Sequence, residues 1–409
     1  MEHATRTSRL LLLGVVVIVG LNLRPFMTGV GPLATSVSAE TGLGLQGIAL
    51  LTLVPMLLMG AFAFIGPWLQ TKFGARRSII VALGILALGS FLRIFPSAGW
   101  AMVGTAALLG IGAAIVQAVF PGIIKRHFPK HVGIVTGLYS SMLMGGGALG
   151  ALAAPAIAAL SGNWRLGLGW LAVLALAALA LAAFCLPKES LTRNGANRAS
   201  AFLRRPRTWL LMASFGLVNG GYSTAVAWLA ASYQAQGWSS AASGSLLAVM
   251  AVGQAASAIL MPTLAGRMED RRPWLLLTLI IQALAFAGLA FSPGVAPMAL
   301  ALMLGVGLGG CFSLSMVVAL EHLHDPAQAG ALSALMQGGG FLLAALPPWI
   351  VAILHDLTGS FTVGWLLHLG CVAIVLVLTT RLAPGSYAGA MAGVAEHSPQ
   401  SLEEAQPAA

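Results

Sequence analysis

Arg24 is the residue of this 409-residue sequence whose position most plainly asks for chemistry. It lies 15 residues after Arg9 and 16 before Glu40, inside an otherwise apolar run. At 1.5 Å per residue, either charge is about 22–24 Å away along a helix. A guanidinium at the centre of a bilayer costs about 2.5–3.5 kcal/mol on insertion scales. No Asp or Glu occurs in the core of any apolar run to neutralise it; Glu321 and Asp356 stand at the ends of theirs. A buried cation without a protein counter-ion suits a small anion as its partner. The local sequence Asn22-Leu23-Arg24-Pro25 puts a proline in mid-run, which frees a carbonyl and permits a kink. Thr28 lies one turn further on, on the same face. The alternative is that Arg24 bonds helix carbonyls and only locks its segment to its neighbours.

Few other polar residues fall at comparable depth. They are Gln117, Tyr139, Asn219, Tyr222, Gln254, Ser313 and Gln337. Asn219 and Tyr222 are three apart and share a helix face. Each supplies a neutral hydrogen-bonding group that suits a dehydrated anion, or an interhelical hydrogen bond. Trp228 and Trp238 sit nearer a run's end, as interface anchors do. An enzyme inside these runs would need a nucleophile–base pair or metal ligands. H-E-x-x-H and G-x-S-x-G are both absent, and Glu321-His322-x-His324 has no partner cluster. Cys185, Cys311 and Cys371 have no ligand spacing and read as apolar packing residues. No enzyme activity, metal or cofactor is expected.

The elements that position these residues follow from composition. Only 32 residues are charged, 8% against roughly 25% in a soluble domain. Hydrophobic residues make up 58% and mean hydropathy is +0.91. Too few charges exist to cover a soluble surface, which excludes a soluble enzyme, a disordered chain and a nucleic-acid binder. Twelve apolar runs approach the ~20 residues that a span needs. They are spans 1 to 12: residues 10–37, 46–71, 78–95, 99–124, 131–160, 165–187, 208–233, 240–265, 273–293, 296–323, 326–355 and 361–383. Their Gly/Ala/Leu-rich composition with internal prolines fits helices packed on helices, and no ten-residue alternation of a β-barrel is visible. The first run is too long, and lacks the cleavage pattern, for a removed signal peptide.

The charges then fall into order. With the N-terminus inside, 18 of the 21 Lys and Arg lie in inner loops, in clusters such as Lys72, Arg76 and Arg77; Lys125, Arg126 and Lys130; and Arg267, Arg271 and Arg272. Arg93 and Arg165 fall outside. This positive-inside bias explains the net charge of +10 without any polyanion. The expected topology is multi-pass, with both termini cytoplasmic. Residues 188–207 read as an inner linker between an N-terminal half, 1–187, and a C-terminal half, 208–383. Residues 384–409 read as a disordered tail.

The halves repeat each other. Gly137–Pro155, GLYSSMLMGGGALGALAAP, matches Gly330–Pro348, GALSALMQGGGFLLAALPP, at an offset of 193. LGIG at Leu109–Gly112 matches LGVG at Leu304–Gly307, and Arg76-Arg77 matches Arg271-Arg272, both at 195. Two parallel six-helix repeats with a site between them are the pattern of major facilitator transporters. The expected class is therefore an all-α integral membrane protein of twelve transmembrane helices.

Five segments carry a narrower resemblance: GLNLRPFMTGVGPL (Gly20–Leu33), VQAVFPGIIKRHF (Val116–Phe128), LVNGGYSTAVAWL (Leu217–Leu229), GSLLAVMAVGQAASAILMP (Gly244–Pro262) and ALMQGGGF (Ala334–Phe341). Together the chain resembles the cyanate permease family of the major facilitator superfamily, along almost its whole length. That resemblance implies a bacterial inner-membrane protein, alternating access, and cyanate or a similarly small substrate. Relatives named for nitroimidazole transport share much of the pattern. One feature departs from the superfamily. The loop after span 2 normally carries an acid before its basic and Gly positions, and here Thr71 stands in its place. The inner-gate ion pair of the first half is thereby lost, and Glu269 and Asp270 are candidates to supply it in the second.

The expectation is a monomeric rocker-switch carrier of a small anion in the lipid bilayer. Arg24 supplies the charge. Asn22, Thr28, Gln117, Tyr139, Asn219, Tyr222, Gln254 and Gln337 line the substrate. Pro25, Lys72, Arg76, Arg77, Arg271 and Arg272 serve gating, with Pro121 and Gly145–Gly147 as further bending points. Glu321, His322, His324 and His368 are the titratable candidates for proton coupling, and none is central. Facilitated movement or exchange is the expectation, with proton symport as the alternative. The competing function is an exporter of small neutral heteroaromatics, with recognition by Tyr139, Tyr222 and Phe341.

Overall fold

A chain that meets lipid on all sides must satisfy its backbone internally, so its apolar runs become helices. The computed structural model describes residues 2–43, 45–95, 98–187, 201–238 and 240–392. Among these residues, eleven helices are long and apolar enough to cross a membrane. A shorter apolar helix, Leu50–Ala63, completes the twelve. Linker residues 188–200 and tail residues 393–409 lie outside the described residues.

Span 1 is broken where the sequence suggests. Glu2–Leu21 is helical, residues 22–24 are not, and Pro25–Thr28 restarts a single turn. Proline has no N–H to continue the ladder, and it is well placed at a first helical position. The chain tightens before the break: the amides of Asn22 and Leu23 bond the carbonyls three residues back, Val19 and Gly20. Span 2 divides into Leu45–Ala63 and Gly66–Phe73 around Gly66-Pro67. Span 11 divides into Pro326–Ala344 and Pro347–Thr358 at its proline pair.

The internal repeat is three-dimensional. A Cβ on Gly110 of span 4 would stand 2.6 Å from the Pro55 Cα of span 2. A Cβ on Gly305 of span 10 would stand 2.1 Å from the Met250 carbonyl of span 8. Both members of the first pair are 195 residues before those of the second. Only glycine permits these approaches.

The halves meet towards the end of the bundle that carries the basic clusters. Span 4 touches span 11 where a Cβ on Gly330 would lie 2.9 Å from the Gly122 Cα. Span 5 touches span 8 where a Cβ on Gly137 would lie 2.9 Å from the Ala258 carbonyl. The Ser141 hydroxyl donates to the Ala255 carbonyl at 2.7 Å. Lys125 of span 4 donates to the Leu320 and Leu323 carbonyls at the end of span 10. An ammonium thus caps a helix C-terminus in the other half, where the helix dipole favours a cation.

One stretch corrects the expectation of disorder. Residues Pro384–Ser386 and Tyr387–Met391 form a turn and a short helix folded against the bundle. The Tyr387 ring stacks on His322 at 3.9 Å, and Arg207 donates to the Arg381 carbonyl and to the Ser386 hydroxyl. Two apolar anchors, Tyr387 and Met391, are buried there. Polar composition predicted otherwise because two buried side chains suffice to dock one turn.

Candidate functional site

The break in span 1 delivers Arg24. It is only 4% exposed and occupies the position before Pro25. Its guanidinium carbon lies 4.7 Å from the ring centroid of Tyr222, on span 7. A cation over an aromatic face is attracted by the ring quadrupole. This contact joins the N-terminal half to the C-terminal half. Among the described residues Arg24 forms no ion pair, and its buried Nε has no hydrogen-bond partner. Among the described residues, no side-chain hydrogen bond joins Arg24 to a helix carbonyl.

Span 5 backs the break with glycines. A Cβ on Gly146 would stand 2.4 Å from the Leu21 carbonyl oxygen, and one on Gly150 would stand 2.5 Å from the Pro25 Cα. Opposite Arg24, Gly147 leaves ordinary space, 3.5 Å to the Arg24 Cβ. Thr28 is used structurally, its hydroxyl donating to the Gly147 carbonyl at 2.6 Å. Tyr139 of the same span is fully buried and within electrostatic reach of Arg24. Its ring stacks on Phe120 at 5.3 Å, and its hydroxyl has no partner among the described residues.

Gln117 is a further buried group of this kind. It is 2% exposed, and among the described residues neither its amide oxygen nor its amide nitrogen has a partner. Gln337 reaches it across the halves, its Nε2 donating to the Gln117 backbone carbonyl at 3.3 Å. Unpaired buried amides are costly, so such groups mark where a ligand or water belongs. Gln254 is buried in span 8 beside Gly309 of span 10. Two predicted residues are committed elsewhere. The Asn22 amide donates to the Ile18 and Leu174 carbonyls, which turns it towards span 6. The Asn219 amide donates to the Phe215 carbonyl one turn back. Ser313 likewise bonds Gly309 and Gly310. His368 pairs with the Thr224 hydroxyl at 2.8 Å and stacks on Phe286, packed behind span 7.

The predicted gate residues divide by half. In the first half, the Lys72 ammonium lies over the Trp68 ring at 4.8 Å, Arg77 is exposed, and Arg76 donates to the Ala183 carbonyl at 2.5 Å. None is paired with an acid among the described residues. In the second half, Arg271 makes a forked pair with Glu321 at 2.8–3.2 Å, and Arg272 pairs with Asp270 at 2.7 Å. Hydrogen bonding from Arg272 holds the Asp270 carboxyl below its ordinary value. Glu269 stays exposed, so Asp270 and Glu321 supply the acidic partners.

Two residues escape sequence reasoning. Lys125 reads as one of a topological cluster, yet it ties the halves together. Arg93 reads as an outer-face charge, and the structure corrects this: it is 0% exposed and donates to the Phe26 carbonyl at 2.7 Å. Its place at the end of span 3 resembles a loop, and only tertiary packing, including the approach of the span 1 break, removes it from solvent.

The chain matches the family profile described as Major Facilitator Superfamily over residues 11–348. It is 40% identical over 372 residues to the cyanate transport protein CynX of Escherichia coli (strain K12), covering 90% of this chain and 96% of that protein. It is 30% identical to the 2-nitroimidazole transporter of the same organism, covering 87% and 91%. The solved proton:xylose symporter XylE superimposes with a TM-score of 0.78 at 13% identity, over 92% of this chain and 96% of that one. The chain belongs to the major facilitator superfamily, in the group that holds these cyanate and nitroimidazole transporters. It is a multi-pass membrane transporter and not an enzyme.

Proposed function

We propose that this major facilitator carrier moves a small monovalent anion, cyanate first, across the bacterial inner membrane by alternating access. The observation that carries the reading is the buried Arg24, without a protein counter-ion among the described residues and faced by Tyr222 of the other half. An anion entering between the halves would neutralise that charge. Tyr139 and Gln117 offer donors that are otherwise unspent. A linear triatomic anion needs little more than one charge and two or three hydrogen bonds to replace its water. The name of the 40% relative supports cyanate within this class.

In this reading the basic end of the bundle is cytoplasmic, as the positive-inside bias requires. Contacts through Lys125, Gly122–Gly330 and Gly137–Ala258 then close the cytoplasmic side. Facilitated movement or exchange fits the site, because His368, the titratable candidate inside a span, is engaged with Thr224 and Phe286.

The test is uptake of labelled cyanate by proteoliposomes, beside binding to the purified protein. Arg24→Gln should weaken binding by ~30-fold or more, about 2 kcal/mol, since it deletes one partner of a buried charge pair. Full uptake by that variant would reject the reading. The second reading, export of neutral heteroaromatics, is favoured by the nitroimidazole-transporter relative and the stacked Phe120–Tyr139 pair. Competition by neutral nitroimidazoles, with none by cyanate, thiocyanate or nitrate, would select it.

A further inference from the structure

Arg93 has no role in anything described so far, although a charge buried this completely is rare. It caps Ala75–Leu92 of span 3, and its Nη1 donates to the Phe26 carbonyl at 2.7 Å. Its Nε and Nη2 have no partner, and it forms no ion pair, among the described residues. An apolar side chain would fill this position without the desolvation penalty of an unpaired buried charge. Stability alone therefore does not account for an arginine here.

The Phe26 carbonyl explains it. In a continuous helix that oxygen would accept from the Val30 amide. Here the Val30 amide bonds the Met27 carbonyl instead, which leaves the Phe26 carbonyl open to a side-chain donor. Pro25–Thr28 is a single turn, too short to hold itself. On one side it leans on span 5, through the Thr28 bond to Gly147 and the contact at Gly150. On the other it is held by Arg93. Arg24 is the residue directly before this turn.

We propose that Arg93 is a positioning residue for Arg24. By clamping the Phe26 carbonyl it fixes the restarted turn of span 1, and so the direction in which Arg24 leaves the break. The proposal rests on Arg24 as the anion-binding charge.

The test is sodium cyanate binding to purified full-length protein, followed by ligand-dependent thermal shift, in a cycle of Arg93→Met, Arg24→Gln and the double variant, with Arg93→Lys as rescue. Arg93→Met should weaken cyanate binding about tenfold in the native background and less than twofold in the Arg24→Gln background. Transport should show a raised KM with the maximal rate little changed. Arg93→Lys, whose ammonium can still donate to Phe26, should bind within about threefold of native. A purely structural role would lower the melting temperature and leave the affinity of the folded protein unmoved. Native affinity in Arg93→Met, or an equal tenfold loss in both backgrounds, overturns the proposal. Should Arg93→Met fail to fold, Arg93→Lys decides: near-native affinity supports the clamp and a tenfold loss rejects it. Native affinity in Arg24→Gln would instead reject the function proposed for Arg24, which keeps the two failures apart.

Discussion

Alanine substitutions along span 5 probe the break in graded steps. Gly145, Gly146, Gly147 and Gly150 lie on one helix, yet an added methyl meets different surroundings at each. At Gly145 nothing lies within 4 Å. At Gly147 the nearest atoms are at 3.5 Å, ordinary contact. At Gly146 the Leu21 carbonyl oxygen lies at 2.4 Å, and at Gly150 the Pro25 Cα and carbonyl oxygen lie at 2.5 Å. Real Cβ atoms essentially never come below 3.0 Å, so the helices must separate by at least about 0.6 Å (3.0 − 2.4) or 0.5 Å (3.0 − 2.5). These are backbone atoms, so no rotamer change relieves the overlap. Replacing glycine by alanine in an unhindered helix gains about 0.5–1 kcal/mol. Overpacking costs about 1–3 kcal/mol. Gly145→Ala should therefore be neutral or stabilising, Gly147→Ala close to neutral, and Gly146→Ala and Gly150→Ala destabilising by roughly 1–2 kcal/mol. Because a shift of about 1 Å at a binding group can cost ~100-fold, half that distance at Arg24 should weaken cyanate binding by about tenfold. Thermal unfolding and cyanate titration of the four purified variants measure both effects. Equal behaviour of Gly145→Ala and Gly146→Ala, or native affinity in both tight variants, would refute the packing argument.

Three further outcomes follow. Lys125→Ala should loosen the closed end: in a background without the native cysteines, a thiol at Ala329→Cys, buried beside the Gly122–Gly330 approach, should be labelled several-fold faster, and an unchanged rate would rule out the tie. Asp270 has a lowered pKa, so its pair with Arg272 stabilises the protein above the ordinary carboxyl value of 3.8 and is lost as pH falls through the depressed one. Asp270→Asn should flatten the melting temperature over that acid limb and lower it slightly at pH 7. Tyr387→Ala should remove the stack on His322 and lower the melting temperature without changing cyanate affinity, which chymotryptic cleavage after Leu382 would report as faster digestion.

The spans and their repeat were legible because bilayer thickness and positive-inside bias act on types of residue, not on their partners. Arg24 was legible for the same reason, since depth along an apolar run is a property of one segment. The break was written in Asn-Leu-Arg-Pro. What was not legible depends on several segments at once. Arg93 becomes buried only when span 3 packs into the bundle and meets the break of span 1. Lys125 finds its carbonyls almost 200 residues away, on span 10. Asn22, Thr28 and Asn219 had the right chemistry, but the kink and the neighbouring carbonyls decided where their hydrogen bonds went.

The repeat that builds the two halves does not extend to charge. Gly147 of span 5 faces Arg24, whereas its repeat partner Gly340 faces Phe215 at 2.4 Å. One half thus carries a cation and the other an aromatic ring beside the paired glycines. Under the proposed function, an empty carrier would hold a fixed positive charge at mid-membrane and an anion-loaded one would be neutral there. A potential of 100 mV is worth about 2.3 kcal/mol per elementary charge crossing the full field. In that reading, voltage would do its work on the return of the empty carrier and leave the loaded step nearly untouched.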